Sequence, residues 1–438
     1  MLSVKYKSYP KMKNSGIEWI GEIPEFWQVK KLKRDTNVMR GASPRPIDDP
    51  IYFDDNGEFS WVRISDVTSS NGILKKTEQK LSKLGSSLSV KLMPGELFLS
   101  IAGSVGKQCI TDIPCCIHDG FVYFPKLKLT KKFLYYIFEA GECYKGLGKL
   151  GTQLNLNTET VGDIEIPFPS QIEQKQISDY LDSQTRLIDS QIGSNQKLVT
   201  LLQEKRQSTI NHAVTKGLDP NAPMKDSGIE WIGEIPEQWN IFKLKHLGKS
   251  ITGLTYQPED VAENQTKGIL VLRASNIQNR SLSLEDTVYV DVPLNDELLT
   301  KEGDILICSR SGSRDLIGKN LTISKDLSGC TFGAFMTVFR SCFSEFISKV
   351  MNSSIFTNQS GLFNTSTINQ LTLGVLNNFV IPFPIDINEQ KQISDFLDKQ
   401  TTKIDSLISK TQTQITKLKE FRQSLISAAV TGKIDVSN

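Results

Sequence analysis

Thirteen residues, SGIEWIGEIPEFW at Ser15–Trp27, recur as SGIEWIGEIPEQW at Ser227–Trp239 with one change, Phe26 against Gln238. The offset from Ser15 to Ser227 is 212, and nearby offsets recover more matches in the same order. IEIPFP (Ile164–Pro169) returns as FVIPFP (Phe379–Pro384), EQKQISDYLD (Glu173–Asp182) as EQKQISDFLD (Glu389–Asp398), and KRQSTINHAVTKGLD (Lys205–Asp219) as FRQSLISAAVTGKID (Phe421–Asp435). The chain is a tandem duplication of a unit of about 210 residues, much longer than a solenoid repeat. Its 438 residues allow two to four cores, and whatever fold one copy adopts, the other must build as well.

Between the matching frames the two fillings, Lys30–Lys149 and Lys243–Phe363, share only traces. WVRISDV (Trp61–Val67) stands beside VLRASNI (Val271–Ile277), and PGELFLSIAGSVGK (Pro94–Lys107) beside EGDILICSRSGS (Glu302–Ser313). Short β-rich runs such as ELFLSIAG, GFVYFPKLKL, DILICS and FMTVFRS are punctuated by Gly, Pro, Asn and Asp, the pattern of strands and turns. KKFLYYIFEAG (Lys131–Gly141) and SEFISKVMNSSIF (Ser344–Phe356) have helical spacing. Each filling is expected to be a compact α/β head.

Each unit closes on a long helix. Ser170 with Glu173, and Asp386 with Glu389, form capping boxes just after a helix-stopping proline pair. Apolar residues then recur at Ile177, Leu181, Ile188, Ile192, Val199, Leu202 and Ile210, and at Ile393, Leu397, Ile404, Ile408, Ile415, Leu418 and Ile426. Their mean step near 3.5 is that of a coiled-coil seam. Each helix is expected to run about 40 residues, or about 60 Å, and to bury its stripe against the other copy; the competing arrangement lays each helix on its own head. Lys205 opposite Phe421, and Asn195 opposite Thr411, are expected to be polar or mismatched seam positions that fix register.

The expected fold is therefore α+β, two α/β heads joined by two long antiparallel coiled-coil helices with an internal pseudo-two-fold repeat. The boundaries are an N-terminal segment 1–14, head 15–169, helix 170–214, linker 215–226, head 227–385, helix 386–430 and tail 431–438. Repeat logic brings Met1 near Asn438. It makes the repeated thirteen residues, with Trp19/Trp231, Pro24/Pro236 and Trp27/Trp239, the apolar mounting of each head.

Composition removes several functions. Lys and Arg number 51 against 49 Asp and Glu, a net charge of +2, so any nucleic-acid footprint is local. Seven cysteines without a C-x-x-C, and three histidines without metal-ligand spacing, give no zinc site and point to a reducing, cytoplasmic setting. No window approaches the ~20 apolar residues of a membrane span. GLGKLG (Gly146–Gly151) follows a helix instead of a strand and is not read as a dinucleotide loop. P-loop, nucleophile-elbow and H-E-x-x-H motifs are absent, and His118, His212 and His246 sit in unrelated contexts. The acidic loop DDPIYFDD (Asp48–Asp55) leaves a metal-dependent nuclease as one alternative, and a protein-interaction scaffold without DNA binding as another.

The motif SGIEWIGEIPEFW opening a variable region, IPFPSQIEQKQISDYLD closing it, and the repetition of both resemble the specificity subunit of type I restriction-modification systems, over essentially residues 10–438. The resemblance implies that each head is a target recognition domain and that the chain is non-catalytic. It implies sequence-specific recognition of a bipartite, asymmetric double-stranded DNA target. The partners it implies are two methyltransferase (modification) subunits docked on the helices, and restriction/translocase subunits. No cofactor is expected on this chain; S-adenosylmethionine, ATP and Mg belong to those partners.

A duplex reader needs Arg, Lys, Asn, Gln, Ser or Thr on loops that enter a groove. The candidates in the first head are Arg40, Ser43 and Arg45 in RGASPRP, Arg63 and Asp66 in WVRISD, and Ser104 and Lys107 in AGSVGK. In the second they are Tyr256 and Gln257 in TGLTYQPED, Arg273 and Asn276 in LRASN, and Arg310, Ser311 and Arg314 in SRSGSR. Arg63 and Arg273 hold the same place in both heads, which favours a phosphate or structural role over the reading of different letters.

Overall fold

A computed structural model describes residues 7–147, 156–263, 266–278, 281–313, 316–362 and 370–436. Four helices organise it: α1 (Lys131–Ala140), α2 (Gln171–Lys216, 46 residues), α3 (Ser344–Met351) and α4 (Ile387–Val430, 44 residues). The chain divides into two units, Met1–Asn195 with Thr413–Asn438, and Gln196–Gln412. Each unit contains one head and half of each long helix. Among the described residues no helix is long and apolar enough to cross a membrane.

In unit 1 the head is mixed α/β. A five-stranded sheet runs Met39–Arg40, Phe121–Tyr123, Leu97–Ser100, Gln108–Thr111, Ile73–Leu74; a four-stranded one runs Gln79–Leu81, Phe59–Val62, Cys115–Ile117, Val90–Leu92. Helix α1 buries Phe133, Leu134, Ile137 and Phe138 and stops where Gly141 takes φ 70°, the left-handed turn that ends a helix without a Cβ clash. Unit 2 repeats the plan with a four-stranded sheet, Lys249–Thr252, Met336–Arg340, Ile305–Cys308, Asn320–Thr322, and a three-stranded one, Val288–Val290, Ile269–Leu272, Thr331–Phe332. The run SEFISKVMNSSIF is not one helix: α3 ends at Met351 and a second helix begins at Ser354. Asn352 Nδ2 donates back to the Ser348 carbonyl and Ser353 Oγ to that of Val350, so side chains compete for the carbonyls that would continue the ladder.

The repeated sentence is the mounting of each head. In both copies a glycine pair with positive φ, Gly16 (77°) and Gly21 (68°), Gly228 (75°) and Gly233 (71°), closes a small hairpin. Its strands are Met12–Asn14 with Glu22–Pro24, and Met224–Asp226 with Glu234–Pro236. The hairpin delivers a fully buried indole, Trp27 or Trp239, whose Nε1 donates to Glu173 (3.2 Å) or Glu389 (3.0 Å) in the first turn of the long helix. Glu173 also accepts from the Ser170 backbone N–H (3.1 Å) and so closes the expected capping box, while Asp386 accepts from Asn388 N–H (2.9 Å) at the other helix. Ile20, Ile23, Ile232 and Ile235 are buried with the indoles, but Trp231 is 44% exposed and takes no part in anchoring.

Just beyond, the IPFP strand pairs antiparallel with the strand that follows the motif, Glu165–Phe168 with Gln28–Lys31 and Val380–Phe383 with Asn240–Lys243. The start and finish of each head are thus clipped together at the foot of its helix. The remaining frame residues tie head to helix: Tyr136 donates to Asp182 (2.8 Å), and Lys349 pairs with Asp398 (2.5 Å).

The long helices pack in antiparallel register. In unit 1 Arg422 Nε bonds Asp189 (2.8 Å); in unit 2 Arg206 Nε bonds Asp405 (2.8 Å), so one residue number falls as the other rises. Ile177, Leu181, Ile188 and Ile192 share a core with Leu425, Ile426 and Val430, and Ile210 and Val214 share another with Ile393 and Leu397. Ile404 is buried, while Val199, Leu202, Ile408, Ile415 and Leu418 are half-buried. Lys205 and Phe421 are not seam residues: both are exposed, Phe421 to 42%. A straight helix with 3.6 residues per turn carries those positions out of a 3.5 stripe. Asn195 is half-buried, and Thr411 is buried with its hydroxyl turned to the Leu407 carbonyl (2.8 Å).

At the joint of unit 1, Lys7 O accepts from Asp435 N–H (2.7 Å), and Lys433 Nζ donates to the Ile20 (2.9 Å) and Glu22 (2.8 Å) carbonyls. Met1 and Asn438 themselves lie outside the described residues.

Candidate nucleic-acid interface

Both heads carry the same backbone platform. In the first, Gly41 N–H donates to Phe121 O (2.9 Å) and Ala42 N–H to Ile117 O (3.1 Å), laying the RGASPRP loop on the three-residue turn His118–Gly120. In the second, Gly253 N–H donates to Met336 O (3.1 Å) and Leu254 N–H to Phe332 O (2.7 Å), laying TGLTYQPED on the turn Gly333–Phe335. The glycines are required by close approach: a Cβ on Gly41 would stand 2.2 Å from His118 O, and one on Gly253 2.1 Å from Gly333 O. The backbones match while the side chains they present do not.

On the first platform Asp119 gathers three of the predicted residues. Ser43 Oγ donates to Asp119 Oδ1 (3.0 Å), Arg45 Nη2 to Oδ2 (3.2 Å), and Arg40 Nε to the Asp119 carbonyl. Partial burial disfavours the Asp119 charge, but the Ser43 hydroxyl, its own backbone N–H and the Arg40 charge outweigh it and hold the carboxyl below its ordinary range. The Arg45 side chain stays 80% exposed, a guanidinium held at one end and free to meet a duplex at the other.

Arg63 lies in the same cleft, about 840 Å³, with Trp61, Gln79, His118 and Asp119. It donates from Nη2 to Gln79 Oε1 (2.6 Å) and is exposed. The acidic loop also borders this cleft, but Asp49 and Asp54 each spend an oxygen on a backbone N–H of their own turn, from Ile51 (3.0 Å) and Asn56 (2.9 Å). Among the described residues no group of three or more His, Cys, Asp or Glu is placed to hold a metal ion. Ser104 and Lys107 sit apart, on the hairpin loop that touches the short helix Ile64–Ser69 through Thr68 (3.3 Å to Ser104); Lys107 is exposed.

Asp66 and Asn276 occupy equivalent positions and are braces. Asp66 is 8% exposed and accepts from Arg63 N–H (2.8 Å); Asn276 is 1% exposed, accepts from Arg273 N–H (2.9 Å) and donates to the Ser283 and Asp286 carbonyls (both 2.9 Å). Each caps the turn after its arginine. Arg273 is itself tied to Asp286 (2.8 Å), with a buried Nε that has no partner among the described residues.

In the second head Gln257 is exposed at the start of the turn Pro258–Asp260, and Tyr256 is half-buried beside it. Arg310 lies 5.1 Å over the ring of Phe335, which is 56% exposed on the platform turn, a cation–π pair at the surface. Ser311 Oγ closes its own turn on Ser313 N–H (3.2 Å). Arg314 lies outside the described residues, as do 148–151 of the GLGKLG run. Sequence reasoning missed Asp119 and Phe335, because the turns IHDG and FGAF match at no position; the available signal was the glycine each turn demands opposite it, Gly41 and Gly253.

Of the three histidines, His212 and His246 are exposed, whereas His118 is half-buried between Trp61 and Phe121. Its Nδ1 accepts from Gly120 N–H (2.9 Å), which shapes the turn holding Asp119. Burial lowers the His118 pKa, with Asp119 opposing. A depressed imidazole contributes stability that is complete above its unfolded pKa of ~6.5 and is lost as pH falls through the folded value. Acidification should therefore loosen the first head and leave the second, with Gly333 at this place, unaffected. Unfolding followed from about pH 7.5 to 5.5 should show a slope that His118→Asn removes; an equal slope in the variant would refute the assignment.

A family model described as the type I restriction modification DNA specificity domain matches residues 24–199 and again 236–417. The chain belongs to the type I specificity-subunit family. The EcoKI specificity subunit of Escherichia coli K12 is 33% identical over 213 residues, 46% of this chain but only 44% of that protein. The MjaVIII specificity subunit of Methanocaldococcus jannaschii is 25% identical over 436 residues, 95% of each. Among solved structures, a chain from a study of complex assembly and conformational transition of the type I R-M system superposes with a TM-score of 0.73 at 15% identity, covering 93% of this chain and 98% of that one. The HsdS subunit of Thermoanaerobacter tengcongensis gives 0.52 at 15% identity, covering 94% and 98%. The fold is that of a specificity subunit, a family of DNA target recognition that is in general non-catalytic.

Proposed function

We propose that this chain reads a bipartite, asymmetric duplex target, one half with each head, and docks methyltransferase and restriction subunits that carry the chemistry. The observation that carries the reading is the platform found twice: one glycine-pinned backbone, dressed with Asp119, Arg40, Ser43 and Arg45 in one head and with Phe335, Arg310 and Gln257 in the other. Two identical heads would read a palindrome; two unlike heads on one frame read two unlike half-sites. Arg and Gln suit guanine and adenine edges, and an exposed phenylalanine suits a thymine methyl. Asp66 and Asn276 act through the turns they brace. S-adenosylmethionine belongs with the methyltransferase subunits, two per complex, and ATP and Mg with the restriction subunit. Exposed Leu198, Leu201 and Leu407 on the long helices offer apolar surface to such partners.

The deciding experiment is methylated-adenine mapping in a host carrying the partner subunits, with and without this chain. A two-part motif that depends on the chain is expected, and its absence ends the reading. On that motif, four residues inserted into both α2 and α4 should change the gap between the half-sites and none of their letters; changed letters would show that ruler and reader are not separate.

A further inference from the structure

The two copies differ at one polar contact between head and helix, and the difference leaves a hole in unit 2. In unit 1 Arg422 gives Nε to Asp189 (2.8 Å) and Nη1 to Glu139 at the end of α1 (2.7 Å). In unit 2 the matching arginine is Arg206, whose Nε meets Asp405 at 2.8 Å. Neighbours fix the correspondence. Tyr136 bonds Asp182 as Lys349 bonds Asp398, Gln423 donates to the Glu139 carbonyl (3.3 Å) as Gln207 does to that of Asn352 (3.2 Å), and Gln108 bonds the Glu139 side chain as Asn320 bonds that of Asn352, so 136 and 349, like 139 and 352, are matched positions. Glu139 therefore corresponds to Asn352, a neutral side chain whose Nδ2 donates to Asn320 Oδ1 (3.1 Å) and to the Ser348 carbonyl (2.8 Å).

Charge can then be compared copy against copy. The neighbouring pairs Lys132–Asp182 and Lys349–Asp398 cancel in both units. Arg422 has two carboxylates, whereas Asp405 is the one acidic partner of Arg206 among the described residues. Unit 2 is therefore short of one negative charge, and where it is missing there is a cleft of about 300 Å³ lined by Arg206, Asn320, Ser348, Asn352 and the mutually paired Lys349 and Asp398. The Arg206 side chain is only 15% exposed, so a guanidinium partly withdrawn from water opens onto this space with donors to spare.

We propose that the cleft binds one carboxylate group, which takes on Arg206 the place that Glu139 takes on Arg422. A carboxylate supplies the single missing charge and the flat pair of acceptors a guanidinium pairs with best. A phosphate dianion would exceed the deficit. The group can come from a small free carboxylate or from an Asp or Glu side chain of another protein.

Both sources are tested on the full chain. Glutarate is titrated at constant ionic strength against chloride, reading a binding isotherm and the melting temperature. In parallel, retention of co-expressed methyltransferase subunits is measured, an arm that rests on the function proposed above. Arg206→Gln should weaken glutarate binding about tenfold or more if the free ligand is the occupant, or partner retention by a similar factor if an acidic side chain is. Asn352→Glu, which installs the missing carboxylate within the chain at the position matching Glu139, should abolish the same response; if it does not fold, Arg206→Gln decides alone. If neither response depends on Arg206, the proposal is overturned. A wild-type chain that retains no methyltransferase refutes the docking reading instead, and leaves the glutarate arm to decide the cleft.

Discussion

Gly41→Ala should erase discrimination in one half of the target and spare the other, and Gly253→Ala should do the reverse. Each new methyl would fall about 2 Å from a backbone carbonyl, 2.2 Å from His118 O or 2.1 Å from Gly333 O, and neither oxygen belongs to a side chain that can swing aside. The loop itself must lift, at a cost of about 1–3 kcal/mol for overpacking. The lifted loop carries Arg40, Ser43 and Arg45 away from Asp119 in one case and Gln257 from its turn in the other. Breaking a bidentate pairing with a base edge removes a further ~1–3 kcal/mol of discrimination. The measurement is binding to duplexes scrambled in one half-site at a time. Gly41→Ala should no longer sense scrambling of its own half while remaining as sensitive as wild type to the other. Loss of discrimination in both halves, with unchanged melting, would mean that the heads do not read independently.

What the sequence showed and what it hid divide along the same line as frame and filling. Three letters of the repeated EQKQISD do most of the fastening: Glu173 takes the indole N–H, Gln174 accepts from Thr130 N–H (2.8 Å) and donates to Pro169 O (2.9 Å), and Ser178 is buried on the Gln174 carbonyl (2.7 Å). Contacts of this kind bind fixed backbone to fixed backbone, so both copies keep them and comparison within one chain exposes them. The reading surface is the opposite case. Asp119 and Phe335 stand on turns whose only shared requirement is a glycine across from them, and a requirement on the partner leaves no letter in the turn itself. The arginines at 63 and 273 were legible as shared, and the structure gives the reason: each precedes a capped turn, braced by Asp66 or Asn276, and has its guanidinium engaged by a neighbour, Gln79 or Asp286. The break after α3 and the displacement of Lys205 and Phe421 from the seam escaped for a local reason: both turn on hydrogen bonds and helical phase that apolar spacing does not encode.

Trp27→Ala should be the most damaging single change, more so than Trp239→Ala despite the near identity of the two motifs. Both indoles are fully buried, and truncating such a side chain costs about 3–5 kcal/mol. Both also leave a glutamate of the first helical turn without its N–H donor. The difference lies in what else holds the hairpin. In unit 2 the chain runs directly from the end of α2 at Lys216 into the strand Met224–Asp226, so the hairpin stays tethered whatever the indole does. In unit 1 the matching joint is non-covalent: Lys7 against Asp435, Lys433 on the carbonyls of Ile20 and Glu22, and Tyr9 edge-on to Trp27 at 5.8 Å. Gly432 sits so close to the indole that a Cβ there would stand 3.0 Å from it, so Trp27 is itself part of that joint. Losing it releases a segment whose return is opposed by the closure entropy of a very long loop, a term unit 2 does not face. Denaturant unfolding of the full chain should therefore show a larger fall in midpoint for Trp27→Ala than for Trp239→Ala. Trp27→Phe, which keeps most of the packing but has no N–H to donate, should recover most of the packing loss and leave a deficit of about 1 kcal/mol from the missing hydrogen bond. Equal losses for the two alanine variants would show that the covalent link in unit 2 gives its hairpin no advantage.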